Sequence, residues 1–246
     1  NYSDTYAGTL TLEQAVAQST NTVAVRLADE VGRGNVAATA KRLGVVSAVN
    51  TDPAMALGTS LVSPLEMAQA YGAFANGGNR VQAYGIERIR NVAGQVLYQR
   101  KASSAVNVIG NPALSDLNRM LRGVVAAGTG TRAKVAGYDL AGKTGTTSDY
   151  KDAWFAGYTG GFTTVVWMGN DNGAPMKRIT GGGAPAELWR GFMTTALKRG
   201  PAQAIPFGPP PAAPPPPPPE TIETLLETPD AAPTTTTAEV IDEPPI

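Results

Sequence analysis

The chain has no histidine and no cysteine among its 246 residues. The first absence removes the usual general base of a Ser-His-Asp or Cys-His machine. The second removes thiolate nucleophiles and disulfides, and with them any cysteine-based clue to compartment. Together they remove the usual zinc clusters. No metal site and no cofactor is expected. Long apolar runs are also missing. No stretch approaches the ~20 residues of a membrane span. An enzyme written in this alphabet must move protons with Lys, Tyr, Asp or Glu.

What is present suffices for a folded body. Hydrophobic residues make up 42% of the chain, enough for one large domain or two small ones with a sizeable core. The net charge of zero hides an asymmetry. Residues 201–246 hold seven acids and no Lys or Arg, whereas the first 200 residues carry 20 basic and 13 acidic side chains, a net charge of +7. Such a body can attract an anionic polymer or a membrane surface, but it is not basic enough to indicate nucleic acid. Fifteen of the 20 prolines fall in 201–246, six of them in the run Pro214 to Pro219. That composition cannot offset chain entropy, so 201–246 reads as a disordered, acidic, Pro/Thr-rich tail after a domain spanning 1–200.

Helical spacing marks Val23, Leu27, Ala28 and Val31, stopped by Gly32, and a second short helix covers Val36 to Leu43. Ser63-Pro64-Leu65-Glu66 is a capping box with proline in the first turn; Met67, Ala70, Tyr71 and Phe74 make the face that follows, and Asn76-Gly77-Gly78 ends it. Tyr84 to Arg90 and Gln95 to Tyr98 alternate as a hairpin about the turn Asn91 to Gly94. A helix over Pro112 to Ala127, strands over Tyr138–Thr146, Asp152–Tyr158 and Phe162–Gly169, and a closing helix over Ala186–Lys198 complete the order. The loops between the last three strands are short, which predicts antiparallel pairing. The class is α/β of the α+β kind: an antiparallel sheet flanked by helices, with a helical subdomain.

Lys143-Thr144-Gly145-Thr146-Thr147 carries the most chemistry. It offers one cation, hydroxyls on both sides of a glycine, and a bare backbone where a ligand can lie close. Two nearby patterns are decoys. Gly137 to Thr144 fits the phosphate-loop pattern letter for letter, but Gly145-Thr146-Thr147-Ser148 is a poor helix start, and that loop must open a helix. Ser148-Asp149-Tyr150-Lys151 is the chain's S-x-x-K, but it lies in a polar turn, not on a helix. Ser19-Thr20-Asn21, taken alone, reads as a cap for the helix at Val23. With Lys143-Thr144-Gly145 placed 124 residues later it forms the second and third elements of the set S-x-x-K, S-x-N, K-T-G. Trp154, Phe155, Tyr158 and Trp167 are read as sheet packing.

The blocks around these motifs resemble the transpeptidase domain of class A (bifunctional) penicillin-binding proteins. They are Ala15 to Val25, Ala56-Leu57-Gly58 with Ser63 to Tyr71, Phe74 to Gly78, Gly128 to Thr131, Ala141 to Thr147 and Asp152 to Tyr158. The likeness runs from about Leu10 to Met193. One departure is large: no nucleophilic S-x-x-K helix precedes Ser19. The chain, which starts at Asn1 rather than Met, is therefore read as a C-terminal piece. The nucleophile, a glycosyltransferase domain and a membrane anchor are expected upstream.

The resemblance implies the penicillin-binding transpeptidase and serine β-lactamase-like fold, and a D,D-transpeptidase working through an acyl-serine on peptidoglycan stem peptides. It implies a site on the outer face of a bacterial inner membrane, lipid-linked precursor as substrate source, and β-lactams as inhibitors. Carried over by motif, Ser19 relays a proton to the leaving amine and Asn21 binds the substrate amide and the nucleophilic lysine. Lys143 supplies positive potential. The Thr144 and Thr146 hydroxyls hold the terminal carboxylate, with the Thr146 N–H as half of the oxyanion hole, and Gly145 lets the substrate backbone lie along the strand. The alternatives are a β-lactamase-related hydrolase, although no deacylating Glu motif is recognisable, and a non-catalytic penicillin-binding fragment.

Overall fold

The structure, a computed structural model, describes residues 8–200 and 203–206. It opens with a helix the periodicity did not reveal, α1 (Leu12–Gln18). Its start is a reciprocal cap: the Gln14 N–H donates to Thr11 Oγ1 (3.2 Å) and the Thr11 N–H donates to Gln14 Oε1 (3.0 Å). The next two helices, α2 (Asn21–Val31) and α3 (Arg33–Leu43), begin two and three residues earlier than the spacing predicts. Gly32 turns between them with φ 86°, a conformation that favours glycine. Ala28, Ala37 and Met55 form the small core of this helical part.

The predicted capping box holds. Ser63 caps α4 (Pro64–Ala75), and Glu66 returns the bond. The carboxylate does more than cap. It accepts N–H bonds from Val46 (2.8 Å), Ser47 (2.6 Å) and Ser63 (2.7 Å), and both serine hydroxyls at 2.9 Å. It thus staples the chain after α3 to the start of α4. The Ser63 and Ser47 amides favour the ionised form and hold the carboxyl down to about 2, against an ordinary 4.5.

The hairpin forms from β1 (Arg88–Arg90) and β2 (Val96–Gln99). The strand expected from Tyr84 shortens to three residues because β2 has only four, and the bond from Arg100 N–H to Glu87 O closes the ladder. Helix α5 (Ala113–Ala126) buries Leu114, Leu121 and Val124 as its spacing requires. Three antiparallel strands follow in the order β3 (Ala141–Thr146), β4 (Asp152–Thr159), β5 (Phe162–Gly169), so β3 is an edge strand among the described residues. Gly137, at φ 83°, still belongs to a turn, which is why β3 starts after Tyr138. Helix α6 (Ala184–Ala196) closes the order.

Strand alternation divides the sheet between two cores. Ala141 and Tyr158 face α4 and α5 through Ala70, Phe74, Leu114 and Leu121. Phe155 faces α6 through Trp189 and Met193. The Phe155 and Trp189 rings meet edge to face at 5.2 Å, and Trp189 Nε1 donates to Thr164 O (3.0 Å).

The body does not end at Gly200. Gln203 bridges to Gly160, and Ile205 is fully buried in the α4–α5 core. Its N–H donates to Asp139 Oδ2 (3.0 Å), a carboxylate already held by Arg122 at 2.6 and 2.8 Å. Asn118 Nδ2 donates to Pro206 O (2.9 Å). Gln203 to Pro206, read from the sequence as tail, thus pack with the body: one buried isoleucine with satisfied backbone groups outweighs the prolines around it. The remainder of the expected tail, 207–246, lies outside the described residues. No described helix is long and apolar enough to cross a membrane.

Candidate active site

The site is assembled where the α1–α2 junction meets the edge strand β3. Ser19 does not cap α2, as the triplet taken alone suggested. It terminates α1 in the left-handed conformation (φ 56°, ψ 50°), and its N–H bonds back to Ala15 O and Val16 O. Thr20 is the N-cap of α2 and makes no side-chain cap bond. A non-glycine residue in this region costs on the order of 1 kcal/mol, a strain that concentrates at functional sites. The Ser19 hydroxyl is thereby left for another partner, and that partner is Lys143: its Nζ donates to Ser19 Oγ at 2.7 Å, across 124 residues of sequence.

Lys143 is half-buried in β3, and its second bond goes to Thr144 O at 2.9 Å. Desolvation disfavours the ammonium and brings its pKa down to about 8, from the usual 10.5. No carboxylate pairs with it among the described residues. A lysine so tuned sits close to working pH, where an amine can both carry charge and pass a proton.

The register fixes what the open edge of β3 presents. Thr147 N–H donates to Asp152 O (3.0 Å), so the odd-numbered backbone groups of this strand turn toward β4. The N–H and C=O groups of Thr144 and Thr146 turn outward. Their side chains are supported from two loops. Thr144 Oγ1 and Thr129 Oγ1 share a bond of 2.7 Å, and Gly181 N–H donates to Thr146 Oγ1 (3.0 Å). Gly145 pairs with Trp154 across the register, where an added Cβ would lie 3.3 Å from the Trp154 Cβ.

Close backbone approach explains the glycines of both supporting loops. A Cβ on Gly128 would meet Ala17 O at 2.3 Å, and one on Gly182 would meet Thr129 O at 2.3 Å. Thr129 N–H donates to Ala17 O (3.0 Å), so the turn after α5 clamps the end of α1 and thereby sets Ser19. Thr129 and Gly181 are site residues that the sequence reading did not single out. The signal for Thr129 was the Gly128 to Thr131 block of the family resemblance.

Of the expected residues, the structure brings Ser19, Lys143, Thr144 and Thr146 into one connected set of hydrogen bonds and backbone groups. Asn21 is exposed as the first residue of α2, and no side-chain hydrogen bond is found for it among the described residues. The two decoys fall away. Lys143 and Thr144 lie in mid-strand with no helix opening there, so no phosphate cradle exists. Ser148 to Lys151 form an exposed turn between β3 and β4, in which Lys151 reaches Asp149 at 3.9 Å.

Comparison with known proteins gives the same direction. The family model described as penicillin binding protein transpeptidase domain matches residues 1–193. The chain belongs to this transpeptidase family. It is 36% identical over 207 residues to penicillin-binding protein 1A of Neisseria lactamica, covering 81% of this chain and 26% of that protein. To the Aquifex aeolicus protein of the same name it is 35% identical over 212 residues, covering 85% and 29%. Among solved structures, penicillin-binding protein 1A from Haemophilus influenzae superposes with a TM-score of 0.78 at 26% identity, covering 85% of this chain and 37% of the other. The PonA1 protein from Mycobacterium tuberculosis, solved in complex with penicillin V, gives 0.75 at 26% identity, covering 88% and 65%. The penicillin-binding transpeptidase fold is thus shown. The chain spans about a quarter of the length of the curated relatives it matches.

Proposed function

We propose that this chain is the main part of the transpeptidase domain of a bifunctional peptidoglycan synthase, a D,D-transpeptidase that crosslinks stem peptides through an acyl-serine. The carrying observation is the 2.7 Å contact between Lys143 Nζ and Ser19 Oγ beside an open strand edge. The attacking serine is assigned to a segment outside residues 1–246, packed so that its hydroxyl faces Ser19. It attacks the D-Ala-D-Ala carbonyl. Ser19, polarised by Lys143, passes the proton to the leaving amine. Asn21 orients the substrate amide.

Thr144 and Thr146 hold the terminal carboxylate of the stem peptide with their hydroxyls and outward edge, and Gly145 keeps the strand flat beneath it. The outward Thr146 N–H is one oxyanion donor, the kind of preorganised group that lowers such barriers most. An amine of a second stem then resolves the acyl-enzyme into a crosslink. β-Lactams, which acylate the same serine, are inhibitors. The intact protein is placed on the outer face of the bacterial inner membrane, anchored upstream and fed by lipid-linked precursor.

The test is acylation of the intact protein by fluorescent penicillin, alongside crosslinking of stem peptides. Ser19→Ala and Asn21→Ala should each lower both rates by at least tenfold with the fold retained. Unchanged rates in both variants would remove the proposed site. ATP should neither bind nor compete.

A further inference from the structure

The hairpin β1–β2 adds nothing to the site just described, yet it is built like an incomplete sheet. Ile86, Ile89, Val92, Val96, Leu97 and Tyr98 are all exposed. Val92, at the turn, is fully so (110% relative exposure). A two-stranded hairpin is marginal by itself, and apolar groups on its strands gain by being covered.

Its backbone shows where cover would come from. Glu87 O accepts from Arg100 N–H (2.8 Å), and Asn91 N–H donates to Gln95 O (3.0 Å). Odd-numbered groups of β1 therefore face β2, and the N–H and C=O groups of Arg88 and Arg90 face away from it. No described strand pairs with that side. Residues Gly85 to Arg90 line a shallow, open surface depression of about 720 Å³.

The charge is equally one-sided. Residues 80–101 carry Arg80, Arg88, Arg90, Arg100 and Lys101 against the single acid Glu87. The arginines are held by neutral groups. Arg88 Nε donates to Gln99 Oε1 (2.5 Å), Arg90 Nη1 donates to Gly94 O (3.2 Å), and the Arg100 guanidinium lies 3.8 Å from the Tyr84 ring centre. No salt bridge to any of these five cations is found among the described residues. A second copy of the same edge is disfavoured, because it would set arginine against arginine across the new pair.

We infer that the open edge of β1 is a docking site for a partner polypeptide that adds a strand whose residues alternate acidic and apolar. Its acids would lie beside Arg88 and Arg90 on one face, its apolar side chains beside Ile89 on the other, and its backbone would pair with the outward groups of the two arginines.

The test uses the full 246-residue chain and a synthetic heptapeptide alternating glutamate with valine. A peptide with lysine in place of glutamate is the control. The acidic peptide should slow amide exchange at Arg88 and Arg90 at least fivefold and shift NMR signals confined to 85–99. R88E/R90E, altering two exposed side chains, should fold normally and weaken binding at least tenfold, while gaining affinity for the lysine peptide. Equal binding of both peptides, shifts elsewhere on the basic body, or no binding would overturn the inference. So would protection of the same amides by anionic vesicles of phosphatidylglycerol and phosphatidylcholine, which would make the edge a membrane contact. Concentration-dependent dimerisation abolished by R88E/R90E would make it a self-interface and likewise overturn it.

Discussion

The Thr129 and Thr144 hydroxyls meet at 2.7 Å and join the turn after α5 to the middle of β3. The same turn holds the end of α1 through the bond from Thr129 N–H to Ala17 O. One residue thus positions both halves of the site. Thr129→Val keeps the shape and removes the hydroxyl. With one hydrogen bond lost, on the order of 1 kcal/mol, penicillin acylation of the intact protein should fall about fivefold with the melting temperature nearly unchanged. Thr144→Val also removes a hydroxyl assigned to the substrate carboxylate and should cost more, and the double variant should cost little more than Thr144→Val alone. Additive losses would show that the two hydroxyls act independently.

Truncation should separate body from tail. Deleting 207–246 should leave the melting temperature and the acylation rate of the intact protein nearly unchanged, because that segment has no apolar periodicity and carries only negative charge. Deleting from 201 onward removes Ile205 from the core and its N–H from Asp139. Ile205→Ala alone should cost about 2–4 kcal/mol by the usual range for a buried isoleucine. For a body of this size that is a drop of roughly 5–15 °C. Calorimetry showing equal stability for both deletions would place Gln203–Pro206 outside the domain.

Glu66 sets an acid limit. Its folded pKa, about 2, lies below the ordinary 4.5, so its contribution is fully present above pH 4.5 and is lost as pH falls toward 2. Glu66→Gln should lower the melting temperature at pH 7 and flatten its dependence on pH between 4.5 and 2. A variant as stable as the parent at pH 7 would mean that the five bonds to this carboxylate hold nothing together.

The isolated 246-residue chain should form no covalent adduct with fluorescent penicillin, since its S-x-x-K is the exposed turn at Ser148. A labelled band abolished by Ser148→Ala would reverse that reading.

Much of this architecture was legible from local chemistry. Ser63 and Glu66 announced α4 because a capping box is a four-residue signal, and the strand ending at Thr146 was legible from its pattern, whereas its place at the sheet edge was not. What failed were relations across space. Helix α1 has only seven residues and too little periodicity to register. The left-handed backbone of Ser19 frees its hydroxyl from capping, and no sequence rule for serine foretells that. Thr129 stood out only within the Gly128 to Thr131 block, because its partner Thr144 lies on β3. Ile205 was hidden among prolines, although an isoleucine in such a stretch is itself a hint of burial.

Lys143 should give the pH profile its alkaline limb. A cation with pKa about 8 is lost as pH rises through that value, so acylation should decline above pH 8. Lys143→Arg, which stays charged, should remove that limb even if its overall rate is lower. An unaltered limb in this variant would assign it to another group.

The most direct measurement is the acylation rate of the intact protein by fluorescent penicillin with Lys143→Ala. Removing one preorganised electrostatic contact of this kind is worth on the order of 3 kcal/mol of barrier, about a hundredfold in rate or more. The expected result is a folded protein acylated at least a hundred times more slowly than the parent. A folded variant acylated within a factor of two of the parent would contradict the assignment of Lys143 and Ser19 as the proton-handling pair of this site.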